Sequence, residues 1–162
     1  PPRSTLFPYT TLFRSNIMGE YAVGGMSVFV NGKAKKSEYR KFRIKNIEES
    51  NDVGMIREII GRRAKNDWEL PNLICVDGGV GQLRAAEEAL KISGIDIPTM
   101  SVSKGKKRDK NDFHFSNASL ARFFKKSPEL DKIVIRARDE AHRFSVAYYR
   151  LLHRKGMFNG KN

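Results

Sequence analysis

Cysteine is almost absent from this 162-residue chain. The single one, Cys75, lies in an apolar run, which excludes a disulfide framework and a cysteine-rich metal site and favours a reducing compartment. No apolar run approaches the ~20 residues needed to cross a bilayer, and no signal-like apolar segment follows the first residues. We therefore expect a cytoplasmic protein without a membrane partner.

Acidic residues are also scarce relative to basic ones. Eighteen Asp and Glu stand against thirty-one Lys and Arg, which gives a formal charge of +13. The excess is concentrated in three segments, Lys33 to Lys45, Lys104 to Lys110 and Arg122 to Lys155. If the fold brings these clusters to one face, they would follow a phosphate backbone and bind DNA in a salt-sensitive, sequence-independent way. The alternative on composition alone is a basic surface that only keeps the protein soluble.

The first fifteen residues, PPRSTLFPYTTLFRS, differ from the rest of the chain. They repeat Thr-Leu-Phe without helical or strand periodicity, and residues 5–15 resemble the translation of a sequencing-library adapter. We interpret residues 1–15 as a non-native leader and leave them out of the fold prediction; the alternative is a genuine disordered leader. Residues 16–155 are predicted to form one domain, and residues 156–162 a truncated tail.

The remaining pattern predicts an α/β fold with a mixed sheet. Asn31-Gly32 between two strand-like runs is typical of a type I′ hairpin, so the sheet is expected to begin antiparallel. Apolar spacing and capping residues then predict helices near 52–63, 82–91 and 129–155, short buried strands near 73–76 and 99–103, and a lysine-rich loop over 104–110. This order indicates parallel strands after the hairpin, with helices on both faces.

Asp77 is the first candidate for chemistry. It follows an apolar strand and precedes a glycine-rich turn, which is where α/β proteins place their ligands. A carboxylate there can hold a hard divalent cation, but Asp-Gly is also ordinary turn chemistry. The glycines do not complete a nucleotide-binding motif, because a dinucleotide fingerprint needs Gly or Ala at Arg84 and no Gly-Lys-Ser/Thr loop follows the strand.

Two further candidates lie on predicted helices. His142 follows Arg138 by four residues in the last helix, so the two share a face. An imidazole there can orient or deprotonate a water or bind a metal, and the alternative is a surface histidine on a charged helix. Asp52, at the start of the first helix, could equally well just complement the helix dipole.

Five segments, in order, resemble the UvrC family. They are Ser-Asn-Ile-Met-Gly-Glu at 15–20, Glu-Tyr-Arg-Lys-Phe at 38–42, Asn-Asp at 51–52, Val-Asp-Gly-Gly-Val-Gly-Gln-Leu at 76–83 and Arg-Asp-Glu-Ala-His-Arg-Phe at 138–144. The resemblance extends from about residue 15 to residue 155, nearly the whole chain, and the last two motifs are highly specific.

The resemblance implies an RNase H-like fold that makes the 5′ incision in bacterial nucleotide excision repair, a phosphodiester hydrolysis. It implies Mg²⁺ or Mn²⁺ as cofactor, in an Asp-Asp-His site where Asp77 and His142 are both metal-binding and catalytic. Asp52 matches a further acidic position of the incision site. UvrB is the implied partner of the full-length protein, through a segment outside this chain.

One position departs from the family pattern. The family's first strand carries Phe-Asp-Ile-Ser-Asn, and alignment on Ser15-Asn16 puts Phe13 at the first catalytic aspartate and Arg14 at the isoleucine. We therefore expect the chain as written to lack one metal ligand and to cleave poorly, while its basic residues still bind DNA. The expected DNA contacts are Arg40, Lys104, Lys106, Lys107, Arg108, Arg138 and Arg143.

Two other functions remain open at this stage. A non-catalytic DNA-binding module would explain both the charge and the missing aspartate, and it would show salt-dependent binding without metal-dependent cleavage. A nucleotide-binding α/β enzyme would use the glycine turn after Asp77, and nucleotide would stabilise it against thermal unfolding.

Overall fold

A computed structural model describes residues 9–18, 21–45, 52–107 and 110–159 of the chain. The strands in these ranges are β1 Tyr9–Met18, β2 Tyr21–Val30, β3 Lys33–Ala34, β4 Arg40–Arg43, β5 Leu73–Asp77, β6 Thr99–Lys104 and β7 Asn111–Phe115. The helices are α1 Asp52–Ala64, α2 Val80–Ile92, α3 Ala118–Lys125 and α4 Pro128–Asn159.

The strands form one mixed sheet, as predicted. Its order is β3, β2, β1, β5, β6, β7, and β4 also pairs with β2. The β1–β2 and β6–β7 pairs are antiparallel, whereas β1–β5 and β5–β6 are parallel. The carboxyl ends of β1, β5 and β6 therefore lie along one edge of the sheet.

The hairpin between β2 and β3 confirms the expectation from Asn31-Gly32. Asn31 has φ +51° and Gly32 has φ +78°. Both central positions of a type I′ turn require positive φ, which asparagine and glycine tolerate better than other residues.

Helices cover both faces of the sheet, and each face has its own core. β5 shows the division because its side chains alternate: Ile74 and Val76 pack under α1 and α2, whereas Leu73 and Cys75 pack under α3 and α4. The α1 and α2 face also buries four α1 residues at helical spacing, Met55, Ile56, Ile59 and Ile60. Burial on both faces explains why β5 reads as a continuous apolar run.

Two elements, β7 and α3, were not predicted from the sequence. β7 is half-buried without clean alternation, so its pattern carries no strand signal. α3 is only eight residues long; Asn117 caps it, with its side-chain oxygen accepting from the Leu120 N–H at 2.7 Å.

The segment that the sequence analysis set aside contributes to the sheet. Residues 9–15 belong to β1, which lies between β2 and β5. The origin of this segment stays a prediction, as do the boundaries of the leader and the tail. Some residues lie outside the described ranges: 1–8, 19–20, 46–51, 108–109 and 160–162. They include Arg108, one of the predicted DNA contacts, and parts of two family motifs.

Candidate nuclease site

Asp77 ends β5 at the carboxyl edge of the sheet. It is half-buried, and the chain turns directly into α2 because Gly78 has φ +137°. The Gly79 N–H donates to the Gln82 side chain at 3.0 Å, which closes the first turn of the helix. A Cβ on Gly78 would lie 2.6 Å from the Gln82 side chain. Gly78 thus meets a backbone requirement of this turn, which begins directly after the Asp77 carboxylate.

α4 crosses β2 at close range next to His142. The Ser27 hydroxyl donates to the Ala137 carbonyl at 2.7 Å, and a Cβ on Gly25 would lie 2.8 Å from the Ala141 carbonyl oxygen. Glycine is the residue that permits so close an approach between two backbones. This contact fixes Ala141 over β2, and His142 follows it with an exposed side chain.

The strand register puts Asp77 at the same level of the sheet as Gly25, the residue that α4 passes over. Phe13 of β1 pairs with the residue that follows Gly25 in β2 and with the residue that precedes Asp77 in β5. Gly25 and Asp77 therefore flank the same position of β1, and two strand spacings separate them by about 10 Å. Because α4 passes over Gly25 immediately before His142, the fold brings the two predicted site residues to one region of the sheet edge.

Asp52 lies at the same end of the molecule but on the other face. It is the exposed first residue of α1, and its neighbour Val53 comes within 3.5 Å of a Cβ built on Gly81, in the first turn of α2. α1 and α2 cover one face of the sheet, whereas α4 covers the other. The structure thus places Asp52 beside the start of α2 and across the sheet from the helix that carries His142.

Phe13 is a core residue in this structure. Its side chain is fully buried under α1 and α2, and its ring centroid lies 6.4 Å from that of Phe42. It shares this face with Val76, its partner in β5, so the next β5 residue, Asp77, has the opposite orientation. An aspartate at position 13 would be buried among apolar side chains unless β1 shifted by one residue against β5.

A polar network anchors the turn of α4 that contains His142. The Tyr39 hydroxyl donates to one Glu140 carboxylate oxygen at 2.9 Å, and the Arg143 guanidinium donates to both oxygens at 3.1 Å. The hydrogen bond from Arg143 lowers the pKa of Glu140, and burial together with the Glu140 bond raises the pKa of Tyr39. Tyr39 also packs edge-on against Phe144, with ring centroids 5.4 Å apart. The turn is thereby tied to the residue that precedes β4.

Three predicted DNA contacts are exposed side chains at the turn between β6 and β7: Lys104, Lys106 and Lys107. Arg138 of α4 reaches the same turn and donates to the Asn111 side-chain oxygen at 2.6 Å. Because Arg138 is only 9% exposed, it braces the turn more than it faces solvent. The turn follows the carboxyl end of β6, so its lysines flank the edge that carries Asp77.

The other predicted DNA contacts differ in how they are held. Arg40 is half-buried; it donates to the carbonyls of Ser37 and Tyr39 at 3.1 and 3.0 Å, and its guanidinium lies 4.9 Å from the Trp68 ring centroid. Arg143 is exposed but forms the ion pair with Glu140 described above. These two arginines have structural partners, whereas the lysines of the β6–β7 turn project into solvent.

Sequence reasoning assigned Lys41 no role in the site, although it lies in the Glu-Tyr-Arg-Lys-Phe motif. Its side chain is exposed, and its ammonium lies 5.5 Å from the Phe144 ring centroid and 5.6 Å from that of Tyr148. The alternation from Glu38 to Ile44 does predict a basic, solvated face for this strand, which fits the exposed Lys41. Its aromatic partners lie more than 100 residues further along the chain, so local spacing could not have predicted them.

The donor types at this edge suit a divalent cation. Asp77 can supply a carboxylate oxygen, the donor type that Mg²⁺ and Mn²⁺ prefer, whereas His142 can supply an imidazole nitrogen, a softer donor. Among the described residues, no three His, Cys, Asp or Glu side chains converge closely enough to hold a metal. Mg²⁺ is commonly held by one or two carboxylates and keeps several waters, so a single carboxylate such as that of Asp77 suits a largely hydrated ion. Phe13 cannot add a second carboxylate.

The mixed sheet with helices on both faces is the fold class expected of an RNase H-like nuclease domain. The sequence model of the "UvrC RNAse H endonuclease domain" matches residues 12–146, which is most of the chain. The chain belongs to this family.

Similar full-length proteins carry the name UvrABC system protein C. Those of Streptococcus pyogenes serotype M6 (strain ATCC BAA-946 / MGAS10394) and serotype M5 (strain Manfredo) are each 38% identical over 150 residues, which cover 90% of this chain. The chain spans about a quarter of their length, since the match covers 25% of each.

Solved structures give weaker matches. Endonuclease V of Ciona intestinalis, in complex with an inosine-containing DNA, is 17% identical with a TM-score of 0.41, over 77% of this chain and 57% of that one. Human ENDOV is 16% identical with a TM-score of 0.39, over 77% and 56% of the two chains. Scores this low carry no argument about function.

In the described ranges, no helix has both the length and the apolar character that a membrane crossing requires.

Proposed function

We propose that this chain is the domain of a bacterial UvrC that makes the 5′ incision of nucleotide excision repair. The proposal is supported by the passage of α4 over Gly25, at the level of Asp77 and one residue before His142, within the region that the family model matches. We further propose Mg²⁺ or Mn²⁺ as cofactor, DNA and UvrB as partners of the full-length protein, and the cytoplasm as its location.

Asp77 and His142 are the residues that would hold the ion. When bound, it would act as a Lewis acid on the scissile phosphate. His142 is exposed on an anchored turn; its imidazole would either ligate the ion or, when not ligated, orient a water or accept its proton. The exposed lysines of the β6–β7 turn would hold the DNA backbone beside the edge.

We also propose that the chain as written is impaired in cleavage but retains DNA binding. Neither Phe13, whose ring lies in the core, nor residue 14, which pairs with Gly25 at the level of Asp77, supplies a carboxylate, so the ion would lack a ligand that the family pattern has. Contacts to phosphate are separate from contacts to the ion, and the net charge of +13 does not depend on residue 13. The same observation favours a second candidate function, a non-catalytic DNA-binding module.

Nicking of supercoiled plasmid with Mn²⁺ tests these proposals. The variants are the chain as given, Phe13→Asp with Arg14→Ile, and that double variant carrying Asp77→Asn or His142→Ala. A further variant, Arg14→Asp in the original background, puts a carboxylate at the position that pairs with Gly25. Circular dichroism of each variant reports whether the domain is folded.

The expected result is nicking by one of the two aspartate variants and loss of nicking with Asp77→Asn or His142→Ala. Activity of Arg14→Asp alone would mean that the present register of β1 is kept, whereas activity of the double variant would mean that β1 shifts by one residue. If both aspartate variants fold and bind plasmid but neither nicks it, the nuclease assignment of this domain is wrong and the binding-module function replaces it.

A further inference from the structure

A basic and aromatic surface lies beside the candidate site, on the β4 side of α4. Lys41 pairs with Gly25 across the β2–β4 ladder, at the level where α4 passes over β2 next to His142. Its exposed ammonium lies 5.5 and 5.6 Å from the ring centroids of Phe144 and Tyr148. The surface formed by Lys41, Phe144 and Tyr148 is called here the Lys41 surface.

The charge of α4 changes at this point. From Ala141 to Asn159 the helix contains four Lys or Arg and no Asp or Glu, whereas its earlier part carries four acidic residues. Phe144 and Tyr148 are four residues apart, so they lie on one side of the helix, separated by about 6 Å along its axis. Both rings are half-buried, which leaves part of each accessible.

The Lys41 surface is separate from the lysines of the β6–β7 turn. From β4 to β6 the sheet passes through β2, β1 and β5, and four strand spacings of about 4.8 Å put the two basic groups about 19 Å apart. Asp77 belongs to β5, between them. The candidate site is therefore flanked by cations on both sides along the sheet.

We propose that the Lys41 surface binds a single-stranded segment of DNA next to the incision site. The Lys41 ammonium contacts a phosphate, and an unpaired base stacks on the accessible part of Tyr148. The proposal rests on the proposed nuclease function. A ring beside a cation suits a single strand, because an unpaired base offers its face to an aromatic side chain while a paired and stacked base does not. A contact confined to phosphates would not need the rings.

The test is a fluorescence-anisotropy titration of the full chain with labelled single-stranded oligo(dT), in EDTA and at several salt concentrations. Lys41→Gln should lower the magnitude of the salt slope of the binding constant by about 0.7, the loss of one phosphate contact on a single strand. Tyr148→Ala should weaken binding roughly tenfold with an unchanged slope, because stacking releases no counterions. Binding of a matched duplex should be unaffected by Tyr148→Ala, and Lys41→Gln should weaken it only through the loss of one charge.

Lys91→Gln is the matched control. Lys91 is an exposed lysine in the last turn of α2, at the opposite end of the sheet from Asp77, so it should change neither the salt slope nor the affinity beyond a small charge effect. Lys41→Arg keeps the charge and should keep the slope. Thermal unfolding of each variant detects a loss of folding, and Tyr148→Phe preserves a stacking ring if Tyr148→Ala does not fold.

Equal salt slopes for Lys41→Gln and Lys91→Gln would overturn the proposal, as would equal losses of affinity for single strand and duplex on Tyr148→Ala. These results leave the nuclease function standing, because plasmid nicking by the aspartate variants is measured independently. If the aspartate variants do not nick plasmid but oligo(dT) binding still depends on Lys41 and Tyr148, only the nuclease function is overturned. If the unmodified chain binds no oligonucleotide at low salt, the Lys41 surface proposal fails.

Discussion

Gly25→Ala should destabilise the domain at the crossing of α4 and β2. The added Cβ would lie 2.8 Å from the Ala141 carbonyl oxygen, 3.1 Å from the Ser145 Cβ and 3.2 Å from the Ser145 backbone nitrogen. Two of these three atoms belong to the backbone of α4, so no rotamer change can relieve the contact. Ordinary contact begins at 3.4 Å, so the helix must move by about 0.6 Å or the strand must bend.

The expected cost follows from overpacking. Forcing a methyl group into a well-packed interface typically costs about 1–3 kcal/mol. The upper part of this range is appropriate here for two reasons. The methyl group meets a carbonyl oxygen, and moving α4 would strain the hydrogen bond that Ser27, two residues from Gly25, donates to it. We expect a loss of about 2–3 kcal/mol, a substantial part of the 5–15 kcal/mol that stabilises a typical domain.

Urea unfolding monitored by circular dichroism measures this cost, and Gly61→Ala is the matched control. Gly61 lies within α1, where a Cβ would meet nothing within 4 Å, so the control should stabilise the domain by about 0.5–1 kcal/mol through helix propensity. If Gly25→Ala is as stable as Gly61→Ala, the close crossing of α4 over β2 is wrong, and with it the placement of this turn of α4 at the level of Asp77.

Two further predictions concern single side chains. Glu140→Gln should cost about 0.5 kcal/mol at pH 7, as partly exposed ion pairs usually do. The folded-state pKa of Glu140 lies below the usual 4.5, so this stabilisation is present above pH 4.5 and is lost as pH falls through the lowered pKa. If the unfolding free energies of Glu140→Gln and the unmodified chain still differ by the same amount at pH 3, the ion pair of Glu140 with Arg143 is not the cause. Cys75 should react with a maleimide only on unfolding, because it is fully buried and burial raises the pKa of its thiol; rapid labelling in the absence of urea would refute that burial.

Much of the fold could be predicted from local pattern. The Asn31-Gly32 turn, α1 and the buried strand before Asp77 all satisfy requirements that neighbouring residues impose on one another, such as positive φ or an apolar stripe at helical spacing. β7 escaped prediction because its burial comes from the adjacent strand β6 and from α3, so its own sequence shows no alternation.

The candidate site was predictable only as a set of residues. The motifs that carry Asp77 and His142 identify chemically capable side chains, but their alignment depends on the β1 register and on Gly25, which admits α4. The prediction for residue 13 shows the limit most clearly. The family pattern marks it as the position of a carboxylate, whereas the register gives its ring a place in the core with Phe42.

The sequence by itself determined the charge, the main elements, the family and the candidate residues, because composition, periodicity and motif order are properties of the chain read in one dimension. The tertiary structure decided which of the basic side chains are available. Arg40 and Arg138 are held by neighbouring groups, whereas Lys41 stands exposed between two rings from the other end of the chain. The contact between Tyr39 and Glu140 joins residues 101 positions apart, and contacts of this range arise only when the sheet brings β4 to the face that α4 covers.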